Sequence, residues 1–311
     1  MSNTHDVEID LPRGVALAWG IAASPQRGPK REMSVERIVE AAVEIADAEG
    51  LGAVSMAAVA ASLGYTPMSL YRYVTAKDDL ILLMQEEATG LPPESAREAG
   101  GWRAQLEELY RGMIQLYLAH PWVLDIPVNG SPTTPNSAAW MDAGIAALAE
   151  TPLSFSERLS AMLLITGHAR WAGMVFAGYA RIEREAGLTD QDVARREDAT
   201  FRQLISPDAY PALRAAIDAG AFLDATDPFS FNLARSLDGL EAYIALVAGG
   251  ESERQQAWPK PDDAGIADDK RFREARRAVR DAERGLRDAR RAERQAAREA
   301  YERRARQRAD G

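Results

Sequence analysis

SMAAVAASL (Ser55–Leu63), GYT (Gly64–Thr66) and PMSLYRY (Pro67–Tyr73) follow one another without a spacer, and this run decides how the chain folds. Ser55 can cap a short helix that ends near Leu63, where Gly64 accepts the left-handed backbone that stops it. Pro67 suits the first position of the next helix, with Thr66 as its cap, and that helix is expected to run to Tyr73. Two short helices joined by a tight glycine-containing turn make a helix-turn-helix, whose second helix can enter a DNA major groove. Ala60 is small where the two helices would cross. Val59, Leu63, Leu70 and Val74 would bury against Val39 and Ala42, leaving Thr66, Met68, Ser69, Arg72 and Tyr73 outward. Hydroxyls, a thioether and a guanidinium suit base edges and thymine methyls, and Lys77 can reach a phosphate. On spacing alone, the same run is also a capped helix pair in an ordinary bundle with solvated Tyr and Arg side chains.

Outward from this run the chain stays helical. Ser34 precedes Val35, Ile38, Val39, Ala42, Ile45 and Ala46, which recur at the steps of one helix face until Gly50 and Gly52. A further helix runs from Lys77 to about Ala88, closed by Gly90, Pro92 and Pro93. Helices are expected over 102–119, 136–149, 155–180, 189–204, 207–219 and 229–247, with no alternating β-branched run between them. The fold class is therefore all-α. Residues 1–33 read as a mobile arm with one docked turn near Val15–Ala23. Residues 34–88 form the helix-turn-helix domain, 95–248 a larger helical domain, 249–268 a linker and 269–311 a charged helix.

The stretch Leu51–Met84 closely resembles the DNA-binding domain of the TetR family of transcriptional repressors. Leu70-Tyr71-Arg72-Tyr73-Val74 followed by Lys77-Asp78-Asp79-Leu80 is the most specific part. PFSFNLARSLDGLEAYI (Pro228–Ile244) is similar to the last helix of a tetracycline-repressor type of C-terminal domain. The resemblance implies base contacts from Pro67, Met68 and Ser69, and a backbone or thymine-methyl contact from Tyr71. It further implies a DNA-facing place for Tyr73 and phosphate contacts from Lys77 and Ser55. It departs at Met56 and Ala57, where the family often has a basic or polar residue. Arg27, Lys30 and Arg31 on the arm are candidates to compensate from the minor groove. The resemblance implies a homodimer on a palindromic, double-stranded DNA operator, released by a largely apolar small-molecule effector. Candidate walls for that effector are Trp102, Tyr110, Met113, Tyr117, Trp122, Trp140, Met141, His168 and Trp171, residues that equally suit plain core.

Composition narrows the chemistry. The 311 residues include no cysteine and three histidines, which removes disulfides, thiolate nucleophiles and cysteine-bound metals. No phosphate-cradling loop or nucleophile elbow is present, so no enzyme, metal or cofactor is expected. No apolar run is long enough to cross a membrane, and Asp6, Glu8 and Asp10 stand where a signal peptide would be basic, so a cytoplasmic place is expected. The net charge of −10 is uneven. Residues 270–311 hold 16 basic and 8 acidic residues, while the rest carries a net −18. The basic tail reads as a solvated helix, a DNA-phosphate contact, or a self-association or docking segment. Through that tail, a protein-interaction adaptor is the alternative function.

Overall fold

The computed structural model describes residues 11–21, 33–128, 130, 133–224, 227–250, 266 and 268–309. Among them every regular element is helical. The chain divides into two units, Met1–Ser252 and Glu253–Gly311.

The first core gathers α1 (Arg13–Ala18), α2 (Val35–Glu49), a 3-10 turn at Leu51–Ala53, α3 (Met56–Leu63), α4 (Pro67–Leu70) and α5 (Lys77–Thr89). Side-chain caps open α2 and α3, whereas Thr66, the expected cap of α4, makes no side-chain bond to that helix's first-turn amides. The Ser34 hydroxyl accepts from the Arg37 amide at 3.3 Å, and the Ser55 hydroxyl from the Ala58 amide at 3.1 Å. Gly64, at φ 76°, ends α3 in the left-handed region. There the Tyr65 amide donates to the Ala60 carbonyl at 2.8 Å, satisfying a helix-end acceptor. Ile38, Ala42, Val54, Val59, Ala60, Leu70, Val74, Leu80 and Met84 are fully shielded from solvent. Leu63 is half-buried.

Helix α4 is shorter than the expected span to Tyr73. It stops at Leu70, and residues 71–73 form a turn in which the Tyr73 and Val74 amides both donate to the Leu70 carbonyl. The turn keeps Val74 on the side of Leu70, four residues before it, and both are buried. The arm's docked turn is α1. Its Gly14 amide donates to Asp79 Oδ1 at 2.8 Å, Val15 is buried, and Trp19 Nε1 donates to the Thr133 carbonyl at 2.7 Å. A Cβ at Gly14 would lie 3.1 Å from the Asp79 Cα, so this approach uses the absence of a side chain.

The second core is built by α6 (Glu94–Glu98), α7 (Gly101–Ala119), α8 (Pro135–Ala147), α9 (Phe155–Ala186) and α12 (Pro228–Ala248) around Leu106, Leu109, Leu148, Met162, Ile165 and Leu237. Helix α9 opens on a capping box between Ser154 and Glu157 and ends at Gly187, φ 65°. It extends past the expected residue 180 because nothing before Gly187 breaks it. Beyond it, α10 (Asp190–Leu204) and α11 (Pro211–Asp218) are tied by Arg202. That guanidinium meets the buried Asp198 carboxylate at 2.6 Å and the Ile217 carbonyl at 2.7 Å. The second unit contributes α13 (Lys270–Ala309), whose Asp269 carboxylate accepts from the Phe272 amide at 2.8 Å.

Two glycines of α9 give opposite expectations. Gly173 lies against Tyr117, and an added Cβ would stand 2.6 Å from Cδ2 and 3.0 Å from Cβ of that ring. Gly173→Ala is expected to cost about 1–3 kcal/mol by overpacking. Gly178 meets nothing within 4 Å, so Gly178→Ala is expected to gain about 0.5–1 kcal/mol from helix propensity. Urea unfolding midpoints check both, down for the first and up for the second.

Candidate nucleic-acid interface and effector cleft

Helix α4 is only four residues long, and the first core fixes its orientation from below. With Leu70 and Val74 sealed inside, the intervening residues are forced outward. Met68 is 74% exposed and Tyr71 44% exposed, an arrangement that leaves two large apolar groups in water without a partner in the fold. Thr66, Pro67, Arg72 and Lys77 are exposed beside them, while Ser55, Ser69 and Tyr73 are half-buried. Tyr73 packs against the first core, and the Ser69 hydroxyl donates to the Thr66 carbonyl at 2.5 Å. Ser55 uses its hydroxyl oxygen as the α3 cap and keeps its own O–H to donate. Met56 is buried, so of the two departing positions only Ala57 faces outward. Arg27, Lys30 and Arg31 lie outside the described residues.

One cation was not singled out by sequence pattern. Docking of α1 on Asp79 brings the exposed Arg13 to the first turn of α5, which Lys77 opens. A helix interior motif gave no signal for this contact, since it depends on a glycine 65 residues away.

Two bonded routes join this reading head to the larger helices. Residues Pro121–Asp125 form a 3-10 turn whose Trp122 is buried in the first core and donates through Nε1 to Asp47 Oδ1 of α2 at 2.7 Å. His120 Nδ1 lies 2.8 Å from the same oxygen. The other side of the turn is held by Arg170 of α9, which donates to the Leu124 and Ile126 carbonyls at 2.6 and 2.8 Å. The second route runs along α5: Glu86 accepts from the Asn136 amide at 2.7 Å, and Trp140 Nε1 donates to the Gly90 carbonyl at 3.1 Å.

A cleft of about 390 Å³ opens between α7, α9 and α12, lined by Glu107, Tyr110, Arg111, Ile114, Phe176, Asp227, Ser230, Leu233 and Ala234. Two of its walls, Tyr110 and Phe176, belong to a chain of tilted and edge-on rings, Tyr110–His168–Phe229–Phe176, with centroids 5.3, 6.2 and 5.1 Å apart. Tyr110 Oη and His168 Nε2 are shielded from solvent and have no protein partner. Burial, with the Asp227 charge in support, pushes the Tyr110 hydroxyl up to about 12. Burial also lowers His168 from its usual 6.5, and Asp227 opposes this weakly. At neutral pH the pair is uncharged and offers hydrogen bonds to whatever fills the space.

The other aromatic candidates are dispersed. Met113 and Trp140 are inner core, and Trp102 and Tyr117 pack at its edge. Met141 is half-buried on α8. Trp122 belongs to the α2 junction described above. Trp171 stands 59% exposed on the outside of α9, on a stripe with Leu163, Gly167 and Met174. Helix α12 carries a comparable exposed stripe through Arg235, Gly239, Ala242 and Leu246. Pattern marked these residues as apolar, but could not say whether each would enter the core, the α2 junction or the outer surface.

Comparison with known proteins places these two cores. Residues 38–84 match a family described as bacterial regulatory proteins, tetR family, and residues 93–244 match the tetracyclin repressor-like, C-terminal domain. The HTH-type transcriptional repressor DrrR1 of Streptomyces coeruleorubidus is 37% identical over 242 residues, 77% of this chain and 89% of that protein. Apo ActR from Streptomyces coelicolor has a similar fold, with a TM-score of 0.58 and 23% identity over 70% of this chain and 99% of its own. ActR in complex with actinorhodin gives 0.53 and 24% over 68% and 97%.

The cleft carries a pH expectation. The unfolded chain binds a proton at His168 near pH 6.5, whereas the fold resists it, so the unfolded state holds more protons below that value. Stability contributed by neutral His168 is complete above pH 6.5 and is lost as pH falls toward the lowered folded value. Thermal melts from pH 7.5 to 5.5 are expected to fall more steeply for the wild type than for His168→Gln, and equal slopes would exclude the effect.

Proposed function

This chain belongs to the TetR family of bacterial regulatory proteins, and on that premise we propose a homodimeric repressor that a small molecule releases from a palindromic operator. As a family member it is a DNA-binding transcriptional regulator. The observation that carries the reading is the forced exposure of Met68 and Tyr71 above a platform closed by Leu70 and Val74. Side chains held outward on a rigid base match what a major groove requires, and Lys77 and Ser55 supply phosphate contacts around them.

A four-residue reading helix covers few base pairs, so a second copy related by two-fold symmetry extends the site to two half-sites. The exposed stripes of α9 and α12 support that pairing. Both carry glycines, Gly167 and Gly239, with nothing within 4 Å, which lets helices of a second copy approach closely. For the effector we assign the cleft at Tyr110. Its apolar walls suit a largely hydrophobic molecule, and the unpartnered Tyr110 and His168 atoms suit one bearing a hydrogen-bonding oxygen. Occupying the cleft would favour one arrangement of α7, α9 and α12 over another. Through Arg170 and Trp122 the difference reaches α2, and the coupling equals the effector's preference between the two arrangements.

Selection of bound duplexes from a random pool, repeated with metabolite mixtures, tests the reading. It is expected to return a palindrome whose recovery falls when the effector is present. On that DNA, Tyr71→Ala is expected to cost about 1–3 kcal/mol per half-site. Lys77→Ala is expected to lower the salt slope by about 0.9 per subunit. Wild-type affinity in both variants would reject the assignment.

The dimer has its own check. Trp171→Glu places a charge in the proposed seam, and sedimentation is expected to report a monomer that still melts cooperatively. A mass unchanged from the wild type would remove α9 from the interface.

A further inference from the structure

The basic tail lies beyond the family match, which ends at residue 244, and nothing in the reading head or the cleft uses it. Its helix α13 sorts its charges by face. Arg273, Arg277, Arg280, Arg284, Arg287 and Arg291 succeed one another at steps of four and three, all exposed. At 3.6 residues per turn they fall within about 80° of arc, and at 1.5 Å per residue they extend about 27 Å. No acidic residue falls within that arc. Asp281, Asp288 and, farther off, Glu274 flank one edge of it and Glu283 the other, and among the described residues only Arg284 of the six closes an ion pair, at 3.9 Å to Asp281.

The opposite face narrows the choice of partner. It carries Ala275, Ala282 and Ala289, with Phe272, Val279 and Leu286 as its bulky groups through residue 291. A seam of alanines gives a second copy little to grip, and the same face offers too little apolar bulk to seat in a lipid surface. Alanine, arginine and glutamate have high helix propensity, so the segment does not need either partner to be helical.

The reading head, in turn, lacks cations. Residues 34–88 contain Arg37, Arg72 and Lys77 against nine acids, and the chain outside the tail carries a net −18. Such a body repels the DNA that its α4 must approach. We propose that the arginine face of α13 is a second, sequence-independent binding site for the phosphate backbone of duplex DNA. This rests on the chain acting on DNA, but not on the identity of the operator. Duplex DNA carries about one charge per 1.7 Å, so a 27 Å face runs past about sixteen phosphates, ample for six guanidiniums. Arginine suits the task because its planar fork grips phosphate oxygens in pairs.

The test uses the full chain and a labelled 40-bp duplex of scrambled sequence at 50–200 mM salt. A sixfold variant with glutamine at these positions (R273Q, R277Q, R280Q, R284Q, R287Q, R291Q) is compared with the corresponding sixfold lysine variant. The glutamine variant is expected to lose about 3–5 from the log–log salt slope and at least about tenfold in affinity at 50 mM. The lysine variant is expected to keep the wild-type slope, and circular dichroism reports whether either set changes helicity. A wild-type slope for glutamine, or a lost slope for lysine with helix intact, would overturn the proposal. Tighter wild-type binding to phosphatidylserine vesicles than to the duplex would do so as well. So would a glutamine variant whose only change is a smaller sedimenting mass. In a Tyr71→Ala background the selected palindrome should lose its advantage while scrambled-duplex binding persists, which separates failure of the reading head from failure of the tail.

Discussion

Everything on the reading face depends on burying Leu70 and Val74. A helix of four residues has too few hydrogen bonds to offset the cost of nucleation and does not persist alone. It exists because Leu70 and Val74 are sealed against Val59, Ala42 and Leu80, and because Gly64 turns the chain sharply enough to bring them there. The same burial fixes which residues face outward. Met68, Tyr71 and Arg72 are presented because the residues between and after them are not free to turn. Rigidity of the head is thus a property of its core, and specificity inherits it.

The junction to the larger helices has a different character. Asp47 gathers Trp122 and His120 on one oxygen, and Arg170 holds the carbonyls on the far side of the same short turn. Directional bonds of this kind have discrete arrangements, as does the close packing around them. A 3-10 turn gripped from both sides therefore suits the transmission of a small shift in α9 to α2, and the α5–α8 contacts give a parallel path of fixed length.

Charge is distributed against the task of the head. Nine acids surround three cations between residues 34 and 88, and much of α2 presents carboxylates to water. On the proposed reading, contacts to DNA are then few and local, drawn from the exposed Lys77 and Arg72. The sorting of arginines onto one side of α13 is the complementary feature, since the same residues scattered around the helix would cancel against their acidic neighbours.

Local sequence determined the helical class, most helix limits and the exposure of Thr66, Met68 and Arg72, while Ser69 and Tyr73, expected outward, are half-buried. Caps, glycine stops and three-to-four periodicity act over a few residues and are written in order along the chain. It also separated the basic tail from the acidic body, because charge is additive. What it left open depended on distant partners. Trp122, Trp140 and Trp171 looked alike as large apolar residues, yet one joined the α2 junction, one the inner core and one the outer surface. The tertiary structure alone decided that the Tyr110 and His168 rings meet, since 58 residues of chain separate them and no local rule fixes how α7 and α9 align. The physical reason is range: hydrogen-bonded periodicity is set by neighbours, whereas burial is set by whichever surfaces the completed fold brings together.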